Sequence, residues 1–150
     1  MYKLTTYTEL ELGHRLITSY AMKCQHFHGH RYEVEITVSS DHLNEDNMIV
    51  DFKLLKEIVK EVLDDKWDHA FCLRSDDPMV EALKKDKHIE RLHIVDFNPT
   101  LEWMVKYWYQ ELNKAFKEEG LDIKMYSLKA SETAKNTCEY MEDEKWKANI

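Results

Sequence analysis

Two stretches of this chain alternate apolar and polar residues with a period of two, and that pattern admits little besides a half-buried sheet. In residues 2–14 the even positions carry Tyr2, Leu4, Thr6, Thr8, Leu10 and Leu12, while Lys3, Glu9 and Glu11 fall at odd positions. In residues 31–40, Tyr32, Val34, Ile36 and Val38 share one parity against Arg31, Glu33, Glu35 and Thr37. Successive strand side chains point to opposite faces, so each stretch predicts a strand with one face in a core. Residues 15–25 read as a loop. Asp51 predicts an N-cap for a helix running to about Leu63, with Phe52, Leu55, Ile58, Val59 and Val62 as its apolar stripe. Asp77-Pro78 opens a short helix to about Lys84. Residues 92–97 suit a short strand, and Asn98-Pro99-Thr100 opens a long helix that Gly120 closes. Residues 123–130 and 136–142 read as two final strands, joined by a turn near Ala134-Lys135. The order β-β-α-α-β-β predicts one α+β domain over residues 1–150, an antiparallel sheet with helices on one face.

Several functions are disfavoured. Lys and Arg number 21 against 29 Asp and Glu, a net charge of −8, which argues against nucleic acid or an anionic membrane as partner. Gly13, Gly29 and Gly120 lie far apart, so no glycine-rich phosphate loop can form. No apolar run approaches the roughly 20 residues of a membrane span, and the first residues lack the apolar core of a signal peptide. Cys24, Cys72 and Cys138 are odd in number and contain no CxxC, the pattern of a reduced cytoplasmic chain with free thiols.

Against that sparse background the chain carries 8 histidines. His28 and His30 are two apart and share the parity of Tyr32, so on a strand both face the apolar side. His14 has the parity of Leu10 and Leu12. If the first two strands pair, three imidazoles meet at one sheet end, the ligand set of a catalytic zinc with an open fourth position. His26 has the same parity as His28 and His30, so the pattern alone leaves open which two of them join His14. Gly29 suits a crowded spot where a neighbouring backbone passes closely. Cys24, four residues before His28, can serve as ligand or as acid/base, whereas Cys72 and Cys138 read as small buried side chains. Asp68-His69 pairs a carboxylate with an imidazole, which needs a turn because strand neighbours point apart. Glu132 ends a strand on the side of Leu128 and Ala130; it reads as an exposed strand end or as a bidentate acceptor for a planar N–H pair. Asp41-His42, His88 and His93 read as plain surface.

Several ordered pieces together are similar to one family: Gly13-His14-Arg15-Leu16, Cys24-x-x-x-His28-Gly29-His30, Asp51-Phe52, Asp68-His69, Pro99-Thr100-x-Glu102 and Ser131-Glu132-Thr133. From about Leu12 to Tyr140 the chain resembles the 6-pyruvoyl tetrahydropterin synthase / 6-carboxytetrahydropterin synthase family. The resemblance implies the tunnelling fold and a homohexamer of two stacked trimers with active sites between subunits. It implies Zn²⁺ on His14, His28 and His30, Cys24 as proton acceptor, Asp68-His69 as relay and Glu132 as pterin anchor. Thr100 and Glu102 resemble a second subunit's contribution to the pterin pocket. The three-residue spacer after Cys24 resembles the carboxy branch. That branch converts 7,8-dihydroneopterin triphosphate to 6-carboxytetrahydropterin, acetaldehyde and triphosphate, in queuosine-type 7-deazapurine synthesis. A pyruvoyl synthase and a non-catalytic zinc-binding oligomer are the alternatives. Arg15 and Lys23 are the expected cations for the triphosphate. The chain departs from the family pattern at Leu12-Gly13, where a small-residue run is usual, at Ala70-Phe71, where the relay is usually followed by Leu-Asn, and at Ser131, where Lys often precedes the glutamate.

Overall fold

Strands β1 (Tyr2–His14) and β2 (His28–Ser40) form an unbroken antiparallel ladder in which Leu10 faces Tyr32, Leu12 faces His30 and His14 faces His28. The structure, a computed structural model, describes residues 1–142; residues 143–150, the tail of the expected single domain, lie outside the described residues. The even-numbered face of the ladder is buried, with Leu10, Tyr32, Ile36 and Val38 fully enclosed. Strand β5 (Lys124–Thr133) adds antiparallel to β2, and β6 (Asn136–Tyr140) antiparallel to β5.

Two short strands extend the other edge in parallel, giving a mixed sheet of order β4-β3-β1-β2-β5-β6. Strand β3 (Ala70–Arg74) pairs with β1 over Leu12–His14, and β4 (Leu92–Val95) pairs with β3. Strand β3 was not among the predicted elements. A short run without alternation carries no period-two signal.

The helices cover the buried face. Asp51 caps α1 (Phe52–Val59) as predicted, its carboxylate accepting from the Lys53 amide at 2.6 Å. The chain then widens into a π turn over Lys60–Asp64 and ends in α2 (Asp65–Trp67). Phe52, expected on the apolar stripe, is exposed, while Leu63 and Trp67 are buried. Phe52 is the helix's first residue, and the wider turn rotates the residues after it, so that Trp67 rather than Lys66 meets the core. Helix α3 (Val80–Leu83) begins later than Asp77-Pro78 predicts. Helix α4 (Leu101–Glu118) matches the prediction closely: the Thr100 hydroxyl accepts from the Trp103 amide, and Gly120 closes the helix at φ +68°. There the Leu121 amide donates to Phe116 and the Gly120 amide to Lys117, the paired bonds of a left-handed helix stop.

One hydrophobic cluster runs from the sheet to α1 and α4. Trp108 lies at its centre with no exposed surface, its ring 5.7 Å from Tyr32 and 5.8 Å from Trp67. No described helix is long and apolar enough to cross a membrane. Replacing Trp108 with Ala is expected to cost about 3–5 kcal/mol, read as a lower urea midpoint at unchanged m-value.

Candidate active site

The β1–β2 register sets His14 directly opposite His28, with His30 one pleat further along the same face. Their ligand-capable nitrogens lie within 4.8 Å of one another. His26 stays outside this cluster, yet its carbonyl accepts from His28 Nδ1 at 2.7 Å. His14 Nδ1 donates to the Pro99 carbonyl at 2.8 Å. A carbonyl only accepts, so each ring carries a proton on Nδ1, and in the neutral form turns a bare Nε2 lone pair inward. Those two Nε2 atoms are 2.9 Å apart. Two facing acceptors repel unless a proton or a cation lies between them, so the donor set fits a metal ion. Burial pushes the His14 imidazole down to about 4, with the Pro99 bond opposing and the neighbouring His28 and His30 adding to the fall. His30 is lowered as well, chiefly by burial, with Glu132 opposing. His14 is therefore neutral at physiological pH, as a ligand must be.

A cavity of about 540 Å³ opens beside this cluster at His14, and Cys24, Thr100, Glu102 and Glu132 line it as well. Glu132 comes within 3.9 Å of His30 Nε2. Thr100 and Glu102, which the family resemblance suggests as a second subunit's contribution, here line the chain's own cavity. Cys138 lines it too and is only half-buried, whereas Cys72 is enclosed and its thiol is pushed up to about 12 by burial. Among the described lining residues Lys135 is the one cationic side chain. It sits in the turn after Glu132, and its proximity to that residue was the only signal that could have found it. Asn98 was likewise missed. Its side chain holds both backbone groups of Ile17 at 3.0 Å, pinning the loop after β1 to the start of α4.

Arg15 does not face the cavity as a free cation: it is bidentate to buried Asp77. Lys23, in the single 3₁₀ turn Lys23–Gln25, is exposed and does not line the cavity.

Asp68 and His69 do meet, and the required turn is present. His69 adopts φ +59°, and its Nδ1 lies 2.8 Å from Asp68 Oδ2. The other Asp68 oxygen accepts from the Glu11 amide at 2.8 Å, and the His69 amide donates to the Glu11 carbonyl. Although burial opposes it, these bonds hold the Asp68 carboxyl below the usual range. The His69 side chain is three-quarters exposed and lines a different cavity, with Phe27, Phe71 and Arg91. His69 also shares a smaller cavity of about 350 Å³ with His30, but it does not line the cavity that holds His14, Cys24 and Glu132. Among the other histidines, His42 and His88 are exposed, and His93 stacks on Trp67 at 3.8 Å.

A family model described as 6-pyruvoyl tetrahydropterin synthase matches residues 3–143. A 6-carboxy-5,6,7,8-tetrahydropterin synthase of Aquifex aeolicus is 36% identical over 126 residues, covering 81% of this chain and 77% of that protein. One from Rickettsia conorii is 31% identical over 134 residues, 89% of this chain and 95% of its own. An uncharacterized Wolinella succinogenes protein superposes with TM-score 0.79 at 21% identity, covering 95% of this chain and 98% of that one. Plasmodium vivax 6-pyruvoyltetrahydropterin synthase does so with TM-score 0.73 at 17% identity and the same coverage. These two structures establish the shared fold.

The depressed His14 value has a measurable consequence. In chelator-treated protein the unfolded chain takes up a proton near pH 6.5, and folded His14 does so only near 4. Folding stability is therefore expected to fall as pH drops through that window, by up to about 3 kcal/mol. A His14→Leu variant should show a flatter urea-midpoint profile over the same range.

Proposed function

Because the chain belongs to the 6-pyruvoyl tetrahydropterin synthase family, we propose that it is a 6-carboxy-5,6,7,8-tetrahydropterin synthase acting on 7,8-dihydroneopterin triphosphate. One observation carries the reading: His14 of the three-histidine cluster shares one cavity with Cys24 and Glu132, and Glu132 reaches within 3.9 Å of His30, in a chain with relatives at 29–36% identity that bear that activity's name. The product belongs to queuosine-type 7-deazapurine synthesis. Three free thiols suit a reducing compartment, and we place the enzyme in the cytoplasm.

His14, His28 and His30 would hold a divalent cation, for which an all-imidazole donor set favours zinc. When bound, it supplies Lewis-acid polarisation that eases deprotonation of the substrate's side-chain hydroxyls. Glu132 accepts the paired N–H groups of the pterin edge and fixes its orientation, with Thr100 and Glu102 beside it. Cys24 takes a proton from the substrate side chain on one side. His69, oriented by Asp68, moves the proton on the other. Triphosphate leaves with the electron pair of its C–O bond. With one water consumed, carbon–carbon cleavage then releases acetaldehyde and leaves 6-carboxytetrahydropterin. Lys135 is placed to meet the triphosphate.

His69 opens on a different cavity from Cys24, so a neighbouring copy supplies it. The sheet edges suit such closure. Strand β1 pairs with β3 only over Leu12–His14, which leaves most of its length as an edge, and β6 forms the opposite edge. A homohexamer of two trimers is the assembly we propose.

Two experiments test this. Incubation with 7,8-dihydroneopterin triphosphate is expected to yield acetaldehyde and 6-carboxytetrahydropterin, and Cys24→Ala should lose at least about 100-fold of that turnover while retaining its cation. A 6-pyruvoyl product without acetaldehyde would assign the other branch. Mixing inactive Cys24→Ala with inactive His69→Ala, after dissociation and reassembly, should restore a fraction of wild-type activity. No recovery would place both residues in one chain's site.

A further inference from the structure

Arg15, freed from the anion-binding role that the sequence suggested, occupies a junction between the two strand ends that carry the histidine cluster. It directly follows His14, the last residue of β1. Its Nε donates to Asp77 Oδ2 at 2.6 Å and its Nη2 to the other oxygen. The Asp77 side chain has no exposed surface, and its Oδ1 also accepts from the Met79 amide at 2.8 Å. The fork is thereby anchored to the start of α3. The same guanidinium lies over the Phe27 ring, 4.9 Å from its centroid, and Phe27 directly precedes His28. Phe27 in turn meets Phe71 at 5.3 Å. The Phe71 ring occupies the space a Cβ on Gly13 would need, 2.6 Å from its Cε2. Gly13 and Phe71 are two of the positions where this chain departs from the family pattern, and they fit one another.

We propose that Arg15 is a positioning residue for the cation site: clamped by Asp77 and lying over Phe27, it sets how closely His14 and His28 approach. A planar bidentate fork fixes direction as well as distance, and lysine cannot reproduce it. An outer contact that orients a ligand alters metal affinity even though it never touches the metal. The Pro99 and His26 carbonyls fix the rotation of the two rings. The clamp fixes the backbone that carries them. This inference rests on the reading of the histidine cluster as a cation site.

The test measures cation affinity and geometry directly. Full-length protein is stripped and titrated with Co²⁺ or Zn²⁺ against a chromophoric chelator, and the visible absorption of the Co²⁺ form is recorded. Wild type should bind one cation per chain; failure to bind would overturn the cation reading and this inference with it. Arg15→Lys and Phe27→Leu should each weaken binding at least tenfold and change the Co²⁺ spectrum. Lys60→Ala, which breaks an exposed ion pair with Asp65, should change neither. Should Arg15→Lys not fold, half-exposed Phe27 carries the decision. If the folded variants melt at lower temperature but bind Co²⁺ within twofold of wild type, with an unchanged spectrum, the clamp is only a fold stabiliser and the inference fails. The cation reading would survive that result.

Discussion

The β1–β2 register governs everything else in this molecule. A slip of one residue would turn every inward side chain outward, and the penalty falls on Leu10, Tyr32, Ile36 and Val38 together. The same register sets His14 opposite His28. The hydrophobic effect along the middle of the ladder therefore fixes the position of polar ligands at its end. Ordinarily a cluster of three imidazoles beside a core would be an electrostatic liability. Here burial keeps His14 neutral and two carbonyls direct its Nε2 and that of His28 toward one point. What remains unsatisfied is a demand for positive charge between them, which a divalent cation would meet.

Charge elsewhere obeys a different logic. On the outer face of the ladder Glu9 stands opposite Glu33, and Glu11 is drawn to Arg31 at 2.6 Å. Like charges directly across a ladder are unfavourable, and the substrate proposed for this acidic chain is itself a polyanion. The cavity wall supplies Lys135 on a turn, while Arg15 is committed to Asp77. A local field at the cavity mouth, rather than the net charge, decides whether such a substrate is drawn in.

Alternation made β1, β2 and the burial of their even faces legible in the sequence, and capping residues marked both ends of α4. The histidine cluster was legible for the same reason: parity carried it, although parity could not separate His26 from His28. Strand β3 was hidden because residues 70–74 carry no alternation, and the π turn was hidden because nothing in residues 60–64 announces an extra residue per turn. The left-handed His69 was only half visible. Its contact with Asp68 demanded a turn, but no glycine marked where that turn would fall. Arg15 was assigned to an anion because its partner, Asp77, lies 62 residues away in sequence. Such long-range pairings leave no periodic trace.

Helix α4 couples the core to the histidine cluster. Its approach supplies the Pro99 carbonyl to His14, and Asn98 ties the loop after β1 to the same point. At the start of the helix, Glu102 lines the cavity. Two turns in, Trp108 packs edge-on against Tyr32, which itself meets His14 and His30 edge-on. Close-packed interiors transmit strain over such contacts. The cluster is therefore supported from below by the core and from above by the helix start, where Asn98 also ties down Ile17 of the loop after β1. A site built this way has its ligand geometry set when the sheet and α4 pack together, before any cation arrives. Its affinity for that cation is then a property of the whole fold rather than of the three histidines alone.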